Sequence, residues 1–232
     1  MNTDNFRTMG LCNIQKELES LELWRPQDRV SSEAIRIFGS ERVFVSTEIT
    51  DAIFERINGR SYRANSYIQP SDLRYLKLLH YDAEGNIVVG EMICNRLIEA
   101  ELIAIFRALY EAKYPIERMV LVDEYDADDT RSMMDNNTVA FNYREITGGG
   151  KLSKHAFGLA VDINPLYNPY VKMLSNNSLR VEPYGAAPYV DRDQNFPYKI
   201  EADDLCCKLF KSYGFEWGGE WSTLKDYQHF EK

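Results

Sequence analysis

The chain is predicted to fold as an α+β domain, an antiparallel sheet with helices mainly on one face. Three observations lead there. Residues 72–81 and 86–92 are apolar-rich runs joined across Asp82-Ala83-Glu84-Gly85, so they pair as a hairpin. Residues 95–113 place Ile98, Leu102, Ile105, Phe106 and Leu109 on one stripe of a helix that Pro115 closes. The other apolar runs are short and isolated, without the repeated strand-helix-strand units that build a parallel sheet.

In chain order, residues 1–47 are polar, with short apolar groups such as Ala34-Ile35-Arg36-Ile37-Phe38. They are expected to form one or two short helices, an N-terminal extension packed on a core domain of residues 48–232. Ile49, Ile53 and Ile57 recur every fourth residue and mark a short helix stopped near Asn58-Gly59. After the hairpin and the long helix, residues 117–123 and 138–143 read as strands. The acidic passage between them, Asp126-Ala127-Asp128-Asp129, caps a helix rather than binding calcium, because Arg131 stands where the calcium loop requires glycine. Residues 159–163 read as a short buried strand. Residues 164–199, rich in Pro, Asn, Gly and Tyr, have no convincing period and are expected to be a long loop, functional or draped over the core. Residues 200–213 form a helix with acids in its first turn and Gly214 as its stop, and 215–230 add aromatics.

Composition narrows the function. At 232 residues the chain suffices for one sizeable core. A net charge of −9 leaves no basic stripe for phosphates, so nucleic acid is not an expected partner. No apolar run approaches the ~20 residues of a membrane helix, so no membrane span is expected. Cys12 and Cys94 are isolated and Cys206-Cys207 are adjacent, which is no zinc-binding spacing; all four read as free thiols or core fillers. Sequence does not indicate an oligomeric state.

The chemistry concentrates in Ser153-Lys154-His155-Ala156-Phe157-Gly158-Leu159-Ala160-Val161-Asp162-Ile163. A carboxylate inside a buried strand is costly unless a cation compensates it, and a metal ion is the economical explanation. In a regular strand the odd separation of His155 and Asp162 would point them to opposite faces. Gly158 is therefore expected to break the strand and fold the imidazole back beside the carboxylate. The third ligand is expected from His229, in a second segment near the C-terminal end. Two imidazoles and one carboxylate, with a fourth position left for water, make the ligand set of a catalytic zinc site. Asp226, three residues before His229, is placed to reach that water without being a ligand, as a general base must. Taken singly these would read as a core histidine, a capping aspartate and an exposed histidine; the metal is favoured only jointly, by the glycine and small residues between them and by the family pattern that follows. His80, beside Tyr81 on a hairpin strand with no partner motif, is read as structural or exposed.

Ser153-x-His155-x-x-Gly158-x-Ala160-x-Asp162, followed by Asp226-x-x-His229-Phe230-Glu231, resembles the two-part signature of the VanY-type D-alanyl-D-alanine carboxypeptidases. Their zinc peptidase superfamily also includes L-alanyl-D-glutamate endopeptidases and the hedgehog signalling domain. The resemblance extends from about Ser61 to the end, including Ala140-Phe141-Asn142-Tyr143-Arg144. It implies Zn2+ held by His155, Asp162 and His229, and Asp226 as catalytic acid or base. The zinc site would lie in a cleft across the sheet, and a peptidoglycan stem peptide would be the substrate. In the family an arginine holds a substrate carboxylate or stabilises the oxyanion, so Arg144 is the candidate for a catalytic and substrate-binding role, with Ser153 as a further substrate contact. Glu231 is a candidate to orient an imidazole, and Trp217 and Trp221 to wall the pocket or fill the core.

Many relatives have Glu where this chain has Asp226; the shorter side chain matches the endopeptidase-like branch. Carboxypeptidase, endopeptidase and a zinc-containing binding module without turnover thus remain three readings. Residues 1–6 lack the basic and apolar regions of a signal peptide, so the protein is expected to be either cytoplasmic or without its signal because that has been removed; the resemblance favours the second, a cell-envelope, periplasmic or secreted protein.

Overall fold

The computed structural model describes residues 3–146 and 149–232, and within them every named strand pairs antiparallel. The chain opens with α1 (Thr3–Leu23), a single helix longer than the short ones expected, then β1 (Arg29–Val30), α2 (Ser32–Phe38), β2 (Val45–Glu48) and α3 (Asp51–Ile57). Ser31 and Thr50 start α2 and α3 as N-caps, their hydroxyl oxygens accepting from Ala34 N and Ile53 N. The predicted hairpin is present as β3 (Leu73–Tyr81) and β4 (Ile87–Asn95), in register from Leu73 opposite Asn95 to Tyr81 opposite Ile87. Asp82 closes its turn by accepting from the Asn86 backbone at 2.8 Å and from the Asn86 amide. β1 and β2 flank this hairpin, giving the strand order β1-β4-β3-β2.

α4 (Glu99–Glu111) packs on β3. It buries Leu102, Ile105, Phe106 and Leu109, each contributing roughly 1.5–3 kcal/mol of apolar burial. It starts four residues later than expected because the Asn95 side chain holds a turn there, its Oδ1 accepting from Leu97 N and its Nδ2 donating to Phe157 O.

Two predicted strands are absent. Along 117–123 the Asn137 amide both accepts from Val120 N (2.9 Å) and donates to Val120 O (3.0 Å), so one side chain replaces a partner strand. Residues 138–143 divide their backbone hydrogen bonds among five partners, with Thr138 N donating to Arg118 O and Asn142 N to His155 O. Val139 bridges Asp162, Phe141 N donates to Ile93 O, and Tyr143 N donates to Ser61 O. Between these stretches α5 (Asp129–Met134) is capped by Asp128, as expected for the acidic run.

β5 (Ala160–Asp162) is the short buried strand that was anticipated. The stretch 164–199, expected as a loop, instead holds a hairpin of β6 (Tyr170–Met173) and β7 (Leu179–Glu182). α6 (Leu205–Ser212) begins five residues after the predicted start, where Asp204 caps it by accepting from Cys206 N. β8 (Glu216–Trp217), β9 (Lys225–Asp226) and β10 (His229–Glu231) complete the chain. In place of one sheet there are thus three among the described residues, the second ordered β5-β10-β8 and the third β7-β6-β9.

One buried apolar cluster runs from Leu21 and Trp24 through β3, β4 and α4 to Phe210 and Phe230. All four cysteines are free, with Cys94, Cys206 and Cys207 buried and Cys12 exposed. Among the described residues no helix is long and apolar enough to cross a membrane.

Candidate metal centre

His155 sits in a single 3-10 turn, Lys154–Phe157, bounded by two residues that set its geometry. Ser153 caps the turn, its Oγ accepting from His155 N at 3.2 Å. Gly158 ends it in the left-handed region, at φ +66°. This is the break that the sequence required between histidine and aspartate. It also brings the turn against the main sheet: a Cβ at Gly158 would lie 2.7 Å from Asn95 N, which donates to Gly158 O at 2.9 Å.

Asp162 and His229 meet by strand register. They stand directly opposite each other on β5 and β10, so their side chains leave the sheet on the same side. Asp162 has its own main chain paired on both sides, by β10 and by Val139, which fixes the direction of its carboxylate. The result is a buried group in which one ligand atom each from His155, Asp162 and His229 lie within 4.8 Å of one another.

The hydrogen bonds around this group decide which nitrogens face inward. His155 Nδ1 lies 2.6 Å from Ala140 O, and a carbonyl can only accept, so Nδ1 bears the proton and Nε2 presents a lone pair. His229 Nε2 lies 3.0 Å from Glu231 Oε2, which in the same way leaves Nδ1 facing in. His155 Nε2 is then 3.2 Å from His229 Nδ1 and 3.2 Å from Asp162 Oδ2, and His229 Nδ1 is 3.0 Å from Asp162 Oδ1. Two lone pairs and a carboxylate at contact distance repel one another unless positive charge lies among them, so this donor set fits a divalent cation.

Among the protein's own groups, His229 takes up that charge. Burial works against its imidazolium, but the hydrogen bonds with Asp162 and Glu231 outweigh it and raise its pKa to about 10. Burial likewise opposes the charge of Asp162, yet His155 and His229 hold its carboxyl well below the usual range. The outward bonds to Ala140 O and Glu231 are the kind that orient metal-binding imidazoles, and Glu231 occupies the place anticipated for it. The Trp221 ring lies 5.3 Å from that of His229 and walls this side.

Asp226 occupies β9 beside the group. Its main chain is pinned by neighbours: Tyr227 N donates to Pro169 O, Trp217 Nε1 donates to Tyr227 O, and the Arg192 guanidinium lies 4.4 Å over the Tyr227 ring. A Cβ on Gly218 would stand 2.6 Å from Asp226 O, so the turn after β8 presses directly on this strand. The carboxyl is half-buried, and its Oδ1, screened from solvent, has no hydrogen-bond partner. Desolvation, with the negative charge of Asp162, pushes its pKa up to about 7 against the pull of His229 and Arg144. Its environment is thus that of a proton acceptor poised near neutrality.

Arg144 is close enough to act on the charge of Asp226, but its guanidinium is engaged by Asp129, whose other oxygen accepts from Asn142 Nδ2 at 2.6 Å. Ser153 is buried at the capping position of the ligand turn. His80 lies apart, buried in β3 with Nδ1 donating to Ile116 O at 2.6 Å. Sequence reasoning missed Asp129, which carries no local signal and meets Arg144 only through the fold. It also missed the β6–β7 hairpin, whose apolar/polar alternation on both sides of Asn176-Asn177 was the available cue.

His155, His229, Asp162 and Asp226 all lie in the last part of the chain. Residues 147–232 match the family model of D-alanyl-D-alanine carboxypeptidase. The match takes in β5, β10, β9 and the whole candidate ligand set, while Arg144 and Asp129 lie outside it. The His155, Asp162 and His229 group is one that could hold a metal ion. No curated protein and no solved structure matches the chain.

Proposed function

We propose that the protein is a zinc-dependent peptidase that hydrolyses bacterial cell-wall stem peptides, most simply as a D-alanyl-D-alanine carboxypeptidase. The observation that carries this reading is a near-neutral Asp226 carboxyl, one of whose oxygens has no hydrogen-bond partner, beside a buried His155, Asp162 and His229 group. Zinc held by His155 Nε2, Asp162 and His229 Nδ1 would polarise the scissile carbonyl and lower the pKa of the attacking water toward ~7. Asp226 removes the proton from that water and passes it to the leaving amine. Arg144, steadied by Asp129, faces the oxyanion or the terminal carboxylate of the substrate. Ser153 accepts from His155 N and keeps its hydroxyl proton to donate to the substrate.

The same reading places the catalytic unit in residues 48–232 with 1–47 as an extension, gives the domain a hedgehog-like arrangement, and locates it in the cell envelope. An L-alanyl-D-glutamate endopeptidase is the second reading, favoured by aspartate rather than glutamate at position 226.

Mass spectrometry of defined stem peptides separates the two, since release of terminal D-Ala marks the first and cleavage within a longer chain the second. Two variants test the assignment of roles. Asp226→Asn should keep zinc and lose turnover by roughly 10²- to 10⁴-fold, whereas His229→Ala should lose the zinc itself. Full activity in Asp226→Asn would refute the mechanism. Equal zinc loss in both variants would make Asp226 a ligand, and intact function without any hydrolysis would leave a binding module.

A further inference from the structure

The third sheet extends the wall of the site into a part of the chain that no motif singled out. Asp226 pairs with Tyr170, Tyr170 with Glu182, and Lys172 with Arg180. Residues directly opposed in an antiparallel sheet, and residues two apart on one strand, project to the same side. Asp226, Tyr170, Glu182, Lys172 and Arg180 therefore share one side of the sheet, and Lys225, Val171, Val181, Met173 and Leu179 share the other. The Tyr170 phenol registers this arrangement. Burial raises its pKa first, the charges of Glu182 and Asp226 raise it further, and Arg180 opposes them.

Lys172 and Arg180 are like charges placed directly across a hairpin, an arrangement that destabilises it. Glu182 relieves Arg180 through contacts of 2.6 and 2.7 Å. Lys172 is exposed and has no ion-pair partner among the described residues. In a protein of net charge −9, an exposed Lys172 set opposite an already ion-paired Arg180, on the side of the sheet that carries the candidate base, is a cation left over for an anionic ligand.

We propose that Lys172, with Arg180, forms a subsite for a free carboxylate of the peptide substrate. Lys172 stands two residues along β6 from the partner of Asp226, roughly 7 Å along the strand and about 5 Å across to β9. The carboxylate it takes accordingly lies about two residues from the scissile bond, at ~3.5 Å per extended residue. It belongs either to the chain terminus or to an acidic residue within the peptide. This subsite rests on the peptidase reading for its substrate, and it is tested by binding as well as by turnover.

Peptides with all carboxylates free, with only the terminus amidated, and with only the internal carboxylate amidated are titrated against the zinc-loaded parent, Lys172→Glu and Lys172→Arg, with hydrolysis measured in parallel. The parent should bind one of the amidated peptides at least tenfold more weakly than the free acid, and that peptide identifies the carboxylate. Lys172→Glu should abolish the difference, raising KM with kcat within about twofold, and Lys172→Arg should retain it. Equal binding of all three peptides by the parent, or a difference that survives in Lys172→Glu, overturns the subsite. Selective binding without hydrolysis of any peptide upholds the subsite and sinks the peptidase reading alone.

Discussion

Replacing Gly158 with alanine should destabilise the protein by about 3 kcal/mol and weaken metal binding with it. A left-handed alanine costs roughly 1–2 kcal/mol before any contact is considered. The new Cβ would stand 2.7 Å from Asn95 N and 3.0 Å from Cys94 C, both backbone atoms of β4, where β3 pairs and prevents retreat. The turn must move instead, giving up Asn95 N to Gly158 O and Asn95 Nδ2 to Phe157 O, each worth roughly 0.5–1.5 kcal/mol. With part of those bonds lost, the sum is about 3 kcal/mol, or a Tm lowered by ~6–12 °C at this chain length. Urea denaturation in the presence of chelator measures the effect free of the metal, and a zinc competition titration reports the displacement of His155. Gly158→Asn separates the two causes, because asparagine tolerates the left-handed region but carries the same Cβ. An alanine variant within about 0.5 kcal/mol of the parent, with unchanged zinc affinity, would refute the claim that Gly158 docks the ligand turn on the sheet.

Glu231→Gln removes the charge that orients His229 and should weaken zinc binding by about 10- to 100-fold without unfolding the protein; unchanged affinity in a chelator competition assay would remove Glu231 from the site. Asp129→Asn should leave zinc content unaltered while lowering kcat/KM by roughly ten- to a hundredfold as Arg144 loses its anchor, and parent-like kinetics would show that the pair is only structural. His80 sets an acid limit on stability. Burial lowers its pKa to about 4, below the ~6.5 of the unfolded chain, so its contribution is complete above pH ~6.5 and is lost as pH falls toward 4. Over that window the loss amounts to roughly 3 kcal/mol, and His80→Asn should flatten the pH dependence of chelator-treated protein by about one proton's slope. An unchanged slope would mean that His80 is protonated in the native state.

What the sequence made legible was chemistry carried by short patterns. The hairpin was visible because Asp82 to Gly85 is a turn by composition, and α4 because its apolar stripe belongs to one helix face. The ligand turn was visible because an aspartate in a small apolar strand needs a cation nearby, and a glycine beside it permits the chain to fold back. Two of the failures share one cause, side chains standing in for backbone. Asn137 satisfies Val120 as a strand would, and Asn95 holds the chain out of helix for four residues. Neither substitution leaves a periodic trace. The Asp129–Arg144 contact joins positions fifteen apart through an irregular stretch, and only the fold brings them together.

The turn that carries His155 takes its supports from outside the segment that supplies the ligands: Ala140 O holds the imidazole and Asn95 holds Gly158 and Phe157. A metal bound to this group therefore works as a stitch between two stretches of chain, since it can be gripped only when the β3–β4 hairpin is already in place beneath the turn. By mass action, zinc at a thousandfold over its Kd adds about 4 kcal/mol to whatever state holds it. Slowed amide exchange should consequently spread on metal loading from β10 into β4, a strand that contributes no ligand and would otherwise feel nothing of the ion.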